Sequence, residues 1–183
     1  MNKDVERILV SEEELDAIVT RLAAEIDRDY AGSDKRLVLV CILKGSIVFM
    51  GDLMKKLSVP CEIECMKVSS YGVGTISTGS IDIRLDLTRS DLDACDLLLV
   101  EDIIDSGNTL SYLVNYLKQK GAKTVRTCTL LDKPSRRKVE FFPDYCGKVI
   151  PDEFVIGYGL DYAEKYRDLP FVGILSPSVY ADK

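Results

Sequence analysis

Residues 96–118, DLLLVEDIIDSGNTLSYLVNYLK, decide the fold of this 183-residue chain. Leu97 to Val100 is a short apolar run, and two adjacent acids, Glu101 and Asp102, follow it. After Ile103 and Ile104 comes a polar turn, Asp105-Ser106-Gly107-Asn108-Thr109. Leu110, Leu113, Val114 and Leu117 then fall at i, i+3, i+4 and i+7, the spacing of one helix face, and Gly121 supplies a stop. The pattern predicts a buried strand with an acidic end, a turn, and a helix whose first N–H groups are free. Such a start favours an anion, because free N–H groups and the positive end of the dipole point at it. Small residues at Ser106 and Gly107 let a phosphate approach the backbone. The two acids would repel a bare phosphate, so they must serve a different purpose, holding a divalent cation or the hydroxyls of a sugar. A sugar phosphate carrying a metal-bound second phosphate satisfies both halves. Asp105 and Ser106 are also ordinary capping residues; the strand, acid pair and helix standing in register give the turn its meaning.

Outward from this stretch, strands and helices alternate. Ser11 to Asp29 reads as an amphipathic helix with a Ser11/Glu14 capping box and an apolar stripe of Leu15, Ile18, Val19, Leu22 and Ile26, ended by Gly32. Arg36 to Leu43 is almost wholly apolar, as in a strand covered on both faces of a parallel sheet. Lys44-Gly45-Ser46 is a tight turn into a helix from Ile47 to Leu57. Cys61 to Ser70 reads as a strand, and Ile81, Ile83, Leu85 and Leu87 alternate with charged residues as a half-exposed strand. Between them, residues 70–80 are poor in charge and rich in Gly; a loop of that length in a small domain is more often a lid than idle. Lys123 to Leu131 is a further strand, and Lys133 stands at its end, where open α/β sheets place ligand groups. Arg136, Arg137 and Lys138 read as solvated charge. The class is α/β with a mainly parallel sheet, and ligand is expected beyond the C-terminal strand ends at Leu43, Val100 and Leu131.

Composition narrows the chemistry. With 46% hydrophobic and 30% charged residues the chain is an ordinary globular domain. No stretch approaches the roughly 20 apolar residues of a membrane span. The start, MNKDVERILVSEEEL, lacks an apolar core behind a basic region, so a cytoplasmic protein is expected. The formal net charge of −6 argues against a nucleic-acid surface. There is no His, which excludes Ser-His-Asp and Cys-His catalysis and H-E-x-x-H metal sites. The six Cys lie mostly in apolar runs, and the C-x3-C pair Cys61/Cys65 is poor zinc spacing. Proton transfer then falls to Asp, Glu, Lys, Tyr or Cys, and a metal to oxygen ligands, hence Mg²⁺.

Val100-Glu101-Asp102-Ile103-Ile104-Asp105-Ser106-Gly107-Asn108-Thr109 resembles the 5-phosphoribosyl-1-pyrophosphate (PRPP) signature of the type I phosphoribosyltransferases. Leu43-Lys44-Gly45-Ser46, Ser69-Ser70-Tyr71-Gly72, Leu131-Asp132-Lys133-Pro134 and Phe154 to Leu169 extend that likeness to the hypoxanthine-guanine group, in the same order along the chain. The resemblance implies a single domain over residues 1–183, with a core of about 34–150, a small hood from the N-terminal segment and about 151–183, and a flexible lid at about 69–82. It implies transfer of the phosphoribosyl group from PRPP to a 6-oxopurine with Mg²⁺, in a homodimer or homotetramer that engages no nucleic acid or membrane. Asp105 would be the general base at purine N7. Glu101 and Asp102 would hold the ribose hydroxyls and, with Asp161, the metal region. The signature from Glu101 through Ile104 to Thr109 would bind PRPP, with Ser106 to Thr109 on the 5′-phosphate. Lys44, Gly45 and Arg167 would bind pyrophosphate, and Lys133, Phe154 and Val155 the purine. Ser70 and Tyr71 would lie on the lid.

Two rivals remain open. A PRPP-sensing regulator that binds RNA would want a basic face, which the net charge disfavours. A sister transferase for another base is the second: adenine is disfavoured because its 6-amino group donates and Lys133 can only donate, whereas xanthine stays open.

Overall fold

The chain runs β1 (Val5–Val10), α1 (Glu12–Tyr30), β2 (Arg36–Leu43), α2 (Ile47–Lys56), β3 (Cys61–Ser70), β4 (Ile81–Leu85), β5 (Cys95–Ile104), α3 (Asn108–Gln119), β6 (Thr124–Asp132), β7 (Tyr145–Val149), β8 (Val155–Ile156) and β9 (Val172–Leu175). This is a computed structural model that describes residues 3–70 and 81–180. Tyr71 lies outside the described residues, and Ser70 is described only as the last residue of β3.

Six strands form one sheet in the order β4-β3-β2-β5-β6-β7. All neighbours are parallel except β3 and β4, so the expected mainly parallel α/β sheet is present. The apolar run of β2 is explained by its two faces. Leu37, Leu39 and Cys41 join the core with α1 and α2 residues such as Leu22 and Phe49, while Val38, Val40 and Ile42 join the core with Leu110, Leu113 and Leu117 of α3. Helices on both faces leave the strand no wet side. The start of α1 follows its sequence signal: Ser11 caps it, its Oγ accepting from the Glu14 N–H at 3.2 Å, while the Glu14 carboxylate pairs with Lys148 of β7.

One boundary differs from expectation in a way that matters. The strand expected to end at Val100 continues through both acids to Ile104. Its pairing with β2 stops at Cys41↔Val100, but its pairing with β6 runs on through Glu101↔Thr129, Ile103↔Leu131 and Ile104↔Asp132. The acids therefore sit on a strand that has lost one neighbour and kept the other. The acids stay on the rigid frame, beside the strand edge that β2 leaves unpaired.

The terminal segments make a second sheet, β1-β9-β8, antiparallel throughout. Val5, Ile156 and Leu175 form its small core, joined by Tyr162, Tyr166, Leu169 and Phe171. All six Cys are free thiols, and burial pushes the Cys41 thiol up to about 11, as in inert core cysteines. Among the described residues no helix is long and apolar enough to cross a membrane.

Candidate active site

The parallel strands β2, β5 and β6 end on the same edge of the sheet, and three groups of residues meet there. The first is the turn from β5 to α3. Gly107 precedes α3 with φ +81 and has no side chain to cap the helix, so the N–H groups of its first turn beyond Asn108 stay available to an anion. Asn108 N–H donates to Ser106 Oγ at 3.3 Å. A side chain at Gly107 would crowd Arg137 Cδ at 3.0 Å and Val139 Cγ2 at 3.1 Å. The turn encloses a cavity of about 120 Å³ lined by Glu101, Ile104, Asp105, Ser106, Gly107 and Thr109. Ile104 itself belongs to the core.

The second group surrounds the acid pair. Burial pushes Glu101 well above the usual carboxylate range, and the Asp102 charge adds to it. Asp102 is pushed up to about 6, again mainly by burial. Glu101 Oε2 has no hydrogen-bond partner among the described residues. Gly45 lies so close to Asp102 that a Cβ there would overlap its carboxylate, and a Cβ on Gly159 would overlap the Gly45 carbonyl. The Leu43–Lys44 peptide in this turn is cis. Lys44 Nζ lies 3.0 Å from Glu164 Oε2, and Arg167 Nη2 lies 2.9 Å from Asp161 Oδ1 and 3.3 Å from the same Glu164 oxygen. Arg167 Nη1 also donates to the Gly159 carbonyl at 2.8 Å. Lys44, Gly45, Asp102, Asp161 and Arg167, spread over more than a hundred residues of chain, thus form one patch.

The third group lines a cavity of about 420 Å³, with Ile103, Asp105, Lys133, Phe154, Val155 and Leu160 in its wall. Lys133 is 5% exposed, and its Nζ lies 3.9 Å from Asp105 Oδ1. That oxygen is buried and accepts no hydrogen bond among the described residues. A buried donor and a buried acceptor therefore stand side by side with unspent capacity. Phe154 lies edge-on to Tyr162 and stacks with Tyr180, both at 5.5 Å between centroids. Asp161 also borders this cavity and joins it to the acid patch.

Every expected site residue whose side chain is described lies in one of these groups. Sequence reading missed Leu160, Glu164, Tyr180 and Arg137. Arg137 is a correction: its side chain is 12% exposed and pairs with Asp132, so it is structural and not solvated charge. No local pattern signals it, because its partners are a strand-end acid and a carbonyl 32 residues away. A separate cavity of about 580 Å³ between α1, α2 and residues 167–170 touches the site through Arg167; its Lys55 and Lys56 are paired with Asp52 and Asp16.

Residues 8–163 match the phosphoribosyl transferase domain. The chain is 48% identical over 182 residues to the bifunctional protein TilS/HprT of Listeria monocytogenes, all of this chain against 28% of that protein. It thus spans little more than a quarter of the length of that relative. It is 47% identical over 180 residues to a hypoxanthine-guanine phosphoribosyltransferase of Bacillus subtilis, covering 98% of each. A crystal structure of a hypoxanthine phosphoribosyltransferase from Staphylococcus aureus superposes with a TM-score of 0.91 at 46% identity, over 98% of each chain.

Proposed function

We propose that this chain, which belongs to the phosphoribosyl transferase domain family, transfers the 5-phosphoribosyl group of PRPP to hypoxanthine and guanine, giving IMP or GMP and pyrophosphate in purine salvage. The observation that carries the reading is Lys133 Nζ beside Asp105 Oδ1, 3.9 Å apart over the cavity bordered by Phe154. A 6-oxopurine presents its O6 and N7 as neighbours on one edge. Lys133 donates to O6, and Asp105 accepts from N7–H. Phe154 supplies a ring face, and the Val155 backbone reads the remaining edge of the base.

The reacting centre then falls next to the acid strand. As the bond from ribose carbon 1 to pyrophosphate breaks and N9 bonds to that carbon, Asp105 takes the N7 proton. Glu101 and Asp102 hold the ribose hydroxyls and stabilise positive charge developing on the sugar. Ser106 to Thr109 anchor the 5′-phosphate through N–H groups and hydroxyls. Lys44, Gly45 and Arg167 receive the pyrophosphate.

The residues present suit Mg²⁺. Two carboxylates are held above their usual pKa range by burial, and one of their oxygens has no partner, a setting that favours a cation. Among the described residues no cluster of three or more ligands forms a site on its own. An ion held partly by protein carboxylates and partly by substrate phosphates does not require such a cluster. Glu101, Asp102 and Asp161 would contribute, and Mg²⁺ when bound neutralises charge on the leaving pyrophosphate. The same reading makes the protein a cytoplasmic homodimer or homotetramer.

The test is an ultraviolet assay with PRPP and Mg²⁺ and each of hypoxanthine, guanine, xanthine and adenine. Turnover of hypoxanthine and guanine, with adenine inert, is expected. PRPP binding without turnover of any base would overturn the reading in favour of a PRPP-sensing regulator.

A further inference from the structure

We infer that Arg137 is a positioning residue that orients the 5′-phosphate turn and ties it to the base-recognition lysine. The inference rests on the proposed roles of Asp105 to Thr109 and Lys133. Arg137 Nη2 pairs with the Asp132 carboxylate, the two side chains being 12% and 10% exposed. Its Nη1 donates to the Asp105 carbonyl at 3.1 Å. The next two residues continue the contact: Lys138 and Val139 N–H donate to the Ser106 carbonyl at 2.9 and 3.3 Å. Two consecutive carbonyls of the turn are therefore held by residues 137–139.

The consequence follows from peptide geometry. In a planar trans peptide the C=O and the following N–H point in opposite directions, and both of these peptides are trans, the one cis bond among the described residues being Leu43–Lys44. With the Asp105 carbonyl drawn toward Arg137 and the Ser106 carbonyl toward Lys138 and Val139, the Ser106 and Gly107 N–H groups face the other way. They add to the donors at the uncapped start of α3. Gly107 makes room for the arrangement, since a Cβ there would meet Arg137 Cδ at 3.0 Å. The other end of the device is Asp132, the residue before Lys133, whose own N–H donates to the Ile104 carbonyl at 2.9 Å. One guanidinium thus fixes the phosphate turn relative to the group that reads the base. A planar fork with separated donors reaches a carboxylate and a carbonyl at once; the single ammonium of lysine on its flexible stem does not. A buried ion pair contributes little net stability once desolvation is counted, so its use here is geometric.

Arg137→Lys keeps the charge and removes the fork. The KM for PRPP is expected to rise about tenfold, with the KM for hypoxanthine within about twofold. The Kd of ribose 5-phosphate, a probe with the phosphate but neither base nor pyrophosphate, should rise by a similar factor. Thermal unfolding is recorded alongside, and Asp132→Asn, which leaves the guanidinium an amide oxygen, should shift the same two constants less. A folded Arg137→Lys with unchanged PRPP and ribose 5-phosphate constants overturns the inference, as does an equal rise in both KM values. If Arg137→Lys does not fold, an Asp132→Asn variant that shifts neither constant overturns it. Wild-type protein inert toward every 6-oxopurine would instead overturn the functional reading, and the ribose 5-phosphate constants would still report on Arg137.

Discussion

The sheet-edge half of the site, Glu101 to Thr109 with Lys133, and the tail half, Phe154 to Arg167, meet at one cavity but are held by different forces. The first grows out of strands that pair over long registers and whose faces are buried. Its acids, turn and lysine sit where β5 and β6 end, and their positions are set by the core. The second is mostly irregular chain after the two-residue strand β8. Tyr158, Ala163, Glu164 and Tyr166 all have positive φ without being glycine, each costing on the order of 1 kcal/mol. Val155, Ile156, Tyr158 and Leu160 bury it against the core, and contacts to distant elements fix its course: Tyr158 O–H to Asp52 at 2.6 Å, Tyr166 O–H to Asp4 at 2.8 Å, and the close approach of Gly159 to Gly45. In the proposed function the frame would deliver chemistry that needs fixed geometry, and the tail charges that engage and release an anion.

Breaking the junction between the halves should have the largest effect. Gly159 has φ +99 and no room for a Cβ beside the Gly45 carbonyl. Gly159→Ala is expected to cost about 2–4 kcal/mol and to lower activity by about a hundredfold or more through Lys44 and Asp102. Calorimetry and steady-state rates would check it. A wild-type melting temperature would show that the halves are not tightly joined there.

Tyr158→Phe removes one anchor of the tail and should cost about 1–2 kcal/mol, raising the KM for PRPP and leaving that for hypoxanthine unchanged. It carries a pH signature. Burial alone would raise the Asp52 pKa, but donors from Lys55 and Tyr158 more than offset it, so its folded value lies below the ordinary one. Such a group stabilises the fold above its unfolded pKa, and that contribution is lost as pH falls through the folded value. Acid unfolding below about pH 4 should therefore be shallower in Tyr158→Phe than in wild type. Identical slopes would exclude Asp52 as the anchor.

The smallest stability effect belongs to Glu164. Its side chain is 65% exposed and bridges Lys44 and Arg167, and exposed pairs add little to stability. Glu164→Gln should melt as wild type does while inhibition by pyrophosphate tightens a few-fold, because the two cations lose their internal competitor. Unchanged inhibition would place the pyrophosphate elsewhere.

The contrast also explains what the sequence could disclose. β2, α1 and α3 are written in local periodicity: an unbroken apolar run, a Ser11 cap with its stripe, and Leu110, Leu113 and Leu117 on one face. The turn at Asp105 to Thr109 is legible because strand, acids and helix adjoin in the chain. The end of β5 lies four residues beyond the expected one, since acids normally close a buried strand and here one flank is open. β1 and β9 carry no such signal: Val5 pairs with Leu175, and a four-residue strand does not announce a partner so far along the chain. Arg137 is hidden for the same reason, its role residing in a carbonyl that any residue possesses.

The most direct measurement of the central claim is the kcat of Asp105→Asn with hypoxanthine at saturating PRPP. The side chain keeps its size and place but loses its basicity, so kcat should fall by about 10²–10⁴-fold with the melting temperature and the KM for PRPP near wild type. A kcat equal to that of the wild type would contradict the claim that the Asp105–Lys133 pair reads and deprotonates the purine.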